Sequence, residues 1–358
     1  VAVNSDNTAI AFDLPEALAE GETATLRFRF DGVPGQGVLR VAAGIYTGYF
    51  ACDWMICLQD KPGDKAEFRL DLFLPQNATS LGIGRALPPL RAADGLFLHR
   101  WRSTRAYSPY LYAFAAGQFS RRSIQTDQGE FIYLDATGGE VDLAAQFATT
   151  LSIAAFLSHK AGLRLPDGRY AQLLTPGREA QEAASFSLIG KGELSREEEN
   201  PAEAWIIAHE MAHQWWGNLV TCETWRDFWL NEGIATFMVA AWKEHRFGSD
   251  AYLQELEGAA RRLEKARGIG FDKPLAWSGN YPSLSIRRAV QYSKGALFLA
   301  HLRKMLGDRP FWDGLRAFTR THAGKTVTSH DFQSAMEQMS GKDLSLTFTQ
   351  WVYGDPHT

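Results

Sequence analysis

Three features of the sequence predict an α+β fold: alternating apolar residues with turn punctuation in the first third, a change of texture near Phe119, and capped helical stretches after Asn200. Leu26, Phe28 and Phe30 alternate with charged residues and end at Asp31-Gly32; Phe68, Leu70, Leu72 and Leu74 alternate likewise and end at Pro75. Period two closed by a turn signal is the pattern of half-buried antiparallel strands. Aromatic-rich runs at 46–50 and 107–119 extend it, so an N-terminal antiparallel β domain is expected over residues 1–119. Beyond it, 130–134, 169–174 and 186–189 read as strands, and 141–161 as a helix closed by Gly162. Strands first and helices later give a second, α+β domain over 120–358.

Composition narrows the function classes. The 358 residues are 45% hydrophobic and 22% charged, enough for a normal core. A net charge of −4 without a Lys/Arg block makes nucleic acid an unexpected partner. No apolar run approaches the roughly 18 residues of a membrane span. The three cysteines, Cys52, Cys57 and Cys222, are an odd number, which argues against a disulfide framework; Cys52 and Cys57 could pair or stay as thiols. The first residue is Val1, as in a mature form after leader removal or a trimmed chain, so export is one reading of the compartment. Oligomeric state is not legible.

Two helix starts carry the chemistry. Asn200-Pro201-Ala202-Glu203 joins a capping residue, a proline suited to the first turn and a glutamate able to reach back; that helix is expected to run to about Gly217. Thr224-Trp225-Arg226-Asp227 resembles a second capping box, opening a helix to about Phe247. The first helix carries His209-Glu210-Met211-Ala212-His213. Histidines four apart share a helix face and can hold one zinc ion, while Glu210, about 100° round the helix, is placed to act as a base on a water held there. Catalytic zinc takes a third protein ligand, and Glu232 on the following helix supplies one. Asp227, Asn231 and Thr236 are candidates for orienting the ligands. The pattern points to a zinc metallopeptidase with peptide as substrate.

The run from His209 to Asn218 (His-Glu-Met-Ala-His-Gln-Trp-Trp-Gly-Asn), with Trp229-Leu-Asn-Glu-Gly233, resembles the aminopeptidase N and leukotriene hydrolase family, gluzincins with a thermolysin-like catalytic domain. Tyr292-Ser-Lys-Gly-Ala296 resembles that family's Tyr-x-Lys-Gly-Ala, the stretch from Tyr110 to Phe119 the end of its β domain, and Asp60-Lys-Pro62 an element within it. The resemblance implies one zinc ion on His209, His213 and Glu232, with Glu210 taking a proton from water and passing it to the leaving amine. It also implies that Tyr292 hydrogen-bonds the developing oxyanion.

The sequence departs from the family in three places. Glu182, in Glu179-Ala-Gln-Glu182-Ala183, aligns with the glutamate that binds the substrate's free amine, but the Gly, Met and Asn of that motif are absent; a surface glutamate on a loop is the alternative. Around Tyr46-Thr-Gly48 no carboxylate or amide stands where the family adds one beside the amine. The end of the family's catalytic domain is matched at 348–353, so the sequence is either a compact two-domain member with an open cleft or a piece of a longer protein. An aminopeptidase is expected. The alternatives are a zinc endopeptidase or broad peptidase with a weakened amine pocket, and a peptide-binding domain of a larger assembly.

Overall fold

A computed structural model describes residues 3–5, 10–12, 14–33, 37–48, 51–194 and 204–354. The chain divides into two compact units, Val1–Pro34 and Gly35–Thr358. The first holds a hairpin of β1 (Val3–Ser5) and β2 (Ile10–Phe12). Among the described residues, the second contains the remaining sheets and all the helices.

Two small antiparallel sheets come first. β3 (Val38–Val41), β4 (Gly44–Thr47), β9 (Phe114–Gly117) and β6 (Thr79–Gly82) form one, and β5 (Arg69–Pro75), β8 (Leu96–Arg102) and β7 (Arg85–Arg91) the other. A five-stranded mixed sheet follows, ordered β10 (Ser120–Gln125), β11 (Glu130–Asp135), β12 (Arg169–Thr175), β14 (Phe186–Gly190) and β13 (Ala180–Ala183). β11, β12 and β14 run parallel, and antiparallel β10 and β13 close the two edges.

Strand periodicity explains why this sheet is buried on both sides. Phe131, Tyr133, Tyr170, Leu174 and Ile189 point into the helical core. Their neighbours Ile132, Leu134, Ala171, Leu173 and Leu188 point into the core shared with the smaller sheets. A side-chain period of two divides each strand between two cores, so every residue of β12 is buried. The helical layer contains α1 (Thr150–Ala161), α2 (Trp205–Ala212), α3 (Trp229–Phe247), α4 (Ser249–Gly268), α5 (Gly295–Leu306), α6 (Asp308–Thr321) and α7 (Ser329–Ser340). Buried tryptophans lock it. Trp215 Nε1 donates to Leu163 O at 3.2 Å, Trp216 Nε1 to Thr319 Oγ1 at 2.9 Å and Trp229 Nε1 to Ser329 Oγ at 2.8 Å. Each indole buries a large apolar surface without orphaning its N–H.

The expected α+β arrangement is present, with local corrections. Leu26, Phe28 and Phe30 form no strand and are exposed. Alternation licenses a strand only when a neighbouring strand completes the ladder. The helix expected over 141–161 breaks into Leu143–Gln146, capped by Asp142, and α1, which ends as expected at Gly162 in a left-handed conformation. Thr224 makes no side-chain cap; a 3₁₀ turn, Trp225–Asp227, precedes α3 instead. Asn200, Pro201 and Glu203 lie outside the described residues. Cys52 and Cys57 are joined in a disulfide, leaving Cys222 buried and free.

The helices that flank the later site touch backbone to backbone. A Cβ added at Gly295 would lie 2.7 Å from Gly233 Cα, and one at Gly233 would lie 2.9 Å from Gly295 Cα. Gly295→Ala should therefore destabilise the protein by about 1–3 kcal/mol through overpacking. At Gly258 in α4, where the nearest atoms are flexible arginine ends 3.6 Å away, the same change should instead stabilise by up to about 1 kcal/mol through helix propensity. Thermal melts of the two variants check the sign; a Gly295→Ala protein as stable as wild type would mean the helices can part.

Candidate metal centre

α2 presents His209 and His213 on one face, both buried. Trp205 stacks on His209 at 4.5 Å between ring centroids, one turn earlier. His213 Nδ1 lies 3.0 Å from Trp216 O. A carbonyl only accepts, so Nδ1 carries the proton and the Nε2 lone pair of neutral His213 points the other way. Gly217 turns the chain here with φ 130°, and a Cβ on it would lie 2.9 Å from His213 Nδ1. Any side chain at 217 would press on the ring.

α3 brings Glu232 to the same point. Its Oε2 lies 3.3 Å from His209 Nε2 and 3.4 Å from His213 Nε2, and the two Nε2 atoms are 3.1 Å apart. Donors about 2.0–2.1 Å from a tetrahedral zinc stand about 3.3 Å from one another. Glu232 Oε2, Glu210 Oε2 and Thr236 Oγ1 are buried with no hydrogen-bond partner among the described residues. Two imidazoles, a carboxylate and orphaned oxygens around one point fit a zinc ion in donor chemistry and in spacing.

Glu182 is brought to the centre as well. It stands on β13, an edge strand, and its carboxylate groups with Glu210 and His213, the possible ligand atoms all lying within 4.8 Å. The alternative of a surface loop glutamate is thereby overturned. β13 is held by the residues that follow the histidines: Gln214 Nε2 and Asn218 Nδ2 both donate to Ala183 O, at 3.2 and 3.0 Å, and Gln214 Oε1 accepts from Ser185 N at 3.0 Å. Ser185 turns the hairpin into β14 with φ 71°.

Tyr292 lies in a π-helical turn, Arg288–Lys294, just before α5, its ring 5.8 Å from that of His209. Two residues on, Lys294 Nζ donates to Asp272 Oδ1 at 2.7 Å and to Lys273 O at 2.8 Å, pinning the turn. Glu182, Glu210, Glu232, the two histidines and Tyr292 line one cavity of about 570 Å³. That volume is usual for small-ligand sites.

Burial and neighbouring charge compete in the metal-free cluster, and burial decides at three of its groups. It raises Glu210 well above the ordinary carboxylate range and Glu182 to about 7. Burial also drives His209 down to about 4. On His213 burial opposes the charge, but Glu232 and Glu182 outweigh it and raise the group to about 10. Burial pushes the Tyr292 phenol far up, so it remains an O–H donor at ordinary pH.

The structure thus brings together all six residues singled out from the sequence. Two of the three expected helpers are engaged elsewhere. Asp227 Oδ1 accepts from Ser329 N and Oγ, and Asn231 bridges Cys222 N and Tyr110 OH, so neither side chain hydrogen-bonds the histidines or Glu232 among the described residues. Thr236 lines the cavity. Sequence reasoning missed the carbonyl of Trp216, the grip of Gln214 and Asn218 on β13, and the cleft arginines Arg178, Arg262 and Arg288. A backbone carbonyl leaves no sequence signal; the polar residues inside the Gln-Trp-Trp-Gly-Asn stretch are the signal for the grip.

Comparison with known proteins agrees with this geometry. Residues 183–351 match the family model described as the Peptidase family M1 domain. Aminopeptidase N of Lactococcus lactis subsp. lactis is 25% identical over 389 residues, covering 97% of this chain and 45% of that protein. Aminopeptidase M1 of Arabidopsis thaliana is 26% identical over 306 residues, covering 82% and 34%. The chain therefore spans less than half the length of these curated relatives. Among solved structures, an M1 zinc metallopeptidase from Deinococcus radiodurans superposes with a TM-score of 0.74 at 23% identity, covering 90% of this chain and 74% of that one. A two-domain M1 zinc metallopeptidase mutant bound to L-tryptophan gives 0.74 at 25% identity, covering 90% and 73%. The fold, the donor set and these matches agree: residues 183–351 are similar to the Peptidase family M1 domain, and the chain shares the fold of solved M1 zinc metallopeptidases.

Proposed function

We propose that this chain is a zinc-dependent aminopeptidase hydrolysing peptide bonds next to a free N-terminus. The observation that carries the reading is the meeting of three donors, two further carboxylates and a phenol around one cavity. His209, His213 and Glu232 would hold one zinc ion, which supplies Lewis-acid activation when bound. Glu210 takes the proton from the attacking water and passes it to the leaving nitrogen. Tyr292 donates its O–H to the oxygen that gains charge. Glu182, on the strand lining the cleft, accepts from the substrate's ammonium group, which makes the reaction N-terminal. The change of sheet between Gly117 and Ser120 supports a domain boundary near Phe119. The Cys52–Cys57 disulfide supports an exported chain, since such bonds persist in oxidising compartments.

Three outcomes are expected. Glu210→Gln should keep one equivalent of zinc by metal analysis while turnover falls about 10²–10⁴-fold; loss of zinc in that variant would contradict the split between ligands and base. Tyr292→Phe should lower kcat about 10²–10³-fold with metal content unchanged, and wild-type turnover would remove Tyr292 from the mechanism. Mass-spectrometric digestion of a peptide library should release single N-terminal residues from free peptides and nothing from their N-acetylated forms. Equal cleavage of blocked peptides would favour an endopeptidase.

A further inference from the structure

The cleft carries a cation with no assigned task. Of the three arginines lining it, Arg262 is committed: its Nε donates to Ser293 Oγ at 2.9 Å, and its Nη2 lies 4.0 Å from Glu255. Arg178 follows Gly177 on the loop that leads into β13, with its side chain over Gly192. Arg288 is exposed and makes no hydrogen bond or ion pair among the described residues. It opens the π-helical turn that carries Tyr292. Residues four apart on such a turn lie nearly above one another, so Arg288 and Tyr292 share the face turned to the cleft.

Glu182 stands on β13 and Arg288 on the π-helical turn, and both line the same cavity as Tyr292. A peptide whose ammonium group meets Glu182 and whose first carbonyl oxygen meets Tyr292 has the Arg288 guanidinium in the same cavity, four residues along the turn from that phenol. The cavity, about 570 Å³, is of a size for a ligand of a few residues.

We propose that Arg288 is a specificity-determining residue that binds a carboxylate on the residue just after the scissile bond. The preferred substrates are then dipeptides with a free C-terminus, or peptides with an acidic second residue. This rests on the aminopeptidase reading for the direction of the peptide. A guanidinium suits the task because its planar fork can donate two parallel hydrogen bonds to a carboxylate. A dipeptide zwitterion would meet complementary charge at both ends, carboxylate against Arg288 and ammonium against Glu182.

The test measures binding apart from turnover. Calorimetry on the zinc-loaded Glu210→Gln protein would compare Leu-Leu, Leu-Leu-amide and Leu-Asp-amide, then repeat the titrations with Arg288→Gln and Arg288→Lys added. Leu-Leu should bind about ten-fold more tightly than its amide, with the ratio falling to about one in Arg288→Gln and partly returning in Arg288→Lys. Tight binding of Leu-Asp-amide would identify a side-chain carboxylate as a second source; weak binding would confine the role to the C-terminus. Equal affinity for acid and amide in the protein that retains Arg288, persistence of the preference in Arg288→Gln, or binding of neither peptide overturns the proposal. Release of leucine from the same peptides by the wild-type protein tests the aminopeptidase reading separately, since the affinity ratio does not depend on turnover.

Discussion

The backbone contact between Gly233 and Gly295 sets the geometry on which the rest of the site depends. Glu232 precedes the first glycine, and Tyr292 lies three residues before the second. With no side chain between them, α3 and the start of α5 meet closely enough that the Glu232 carboxylate and the Tyr292 phenol face the same pair of histidines. A methyl group at either position would push apart two elements that each supply one group to the cavity. The glycines thus act through distance, at a cost in helix propensity of about 1 kcal/mol each.

The same economy runs through the stretch after His213. Gln214 and Asn218 reach out to β13, Trp215 and Trp216 anchor α2 in the core, and Gly217 leaves room for the ring of His213 while the Trp216 carbonyl fixes its tautomer. Five consecutive residues after the second histidine therefore set the orientation of the His213 ring and the position of the strand that carries Glu182. A disturbance at any of them reaches both His213 and Glu182. Tyr110 extends the coupling: its hydroxyl donates to Gly217 O at 3.3 Å and accepts from Asn231 Nδ2 at 3.1 Å, next to Glu232.

Much of the site was legible because its chemistry depends on side-chain identity at short spacing. His209, Glu210 and His213 lie within one turn and a half of helix, and Glu232 follows on the next long helix. The eroded motif around Glu182 was harder to read, since an edge strand of four residues has too few positions to show alternation. Leu26 to Phe30 show the reverse failure: the alternation is clear, but a ladder needs a second strand that local sequence cannot specify. The expected box at Thr224 failed for a tertiary reason, because Asp227 is taken by Ser329 at the start of α7. Arg288 gave no signal at all, as an arginine on a helix is ordinarily a solvated surface group and only its place in the cleft distinguishes it.

The metal assignment is tested most directly by X-ray absorption at the zinc edge of the zinc-loaded protein. The predicted spectrum has a first shell of nitrogen and oxygen alone at about 2.0–2.1 Å, with outer-shell scattering from two imidazoles. A sulfur at about 2.3 Å, or scattering from a single imidazole, would contradict the assignment of His209, His213 and Glu232 as the ligands.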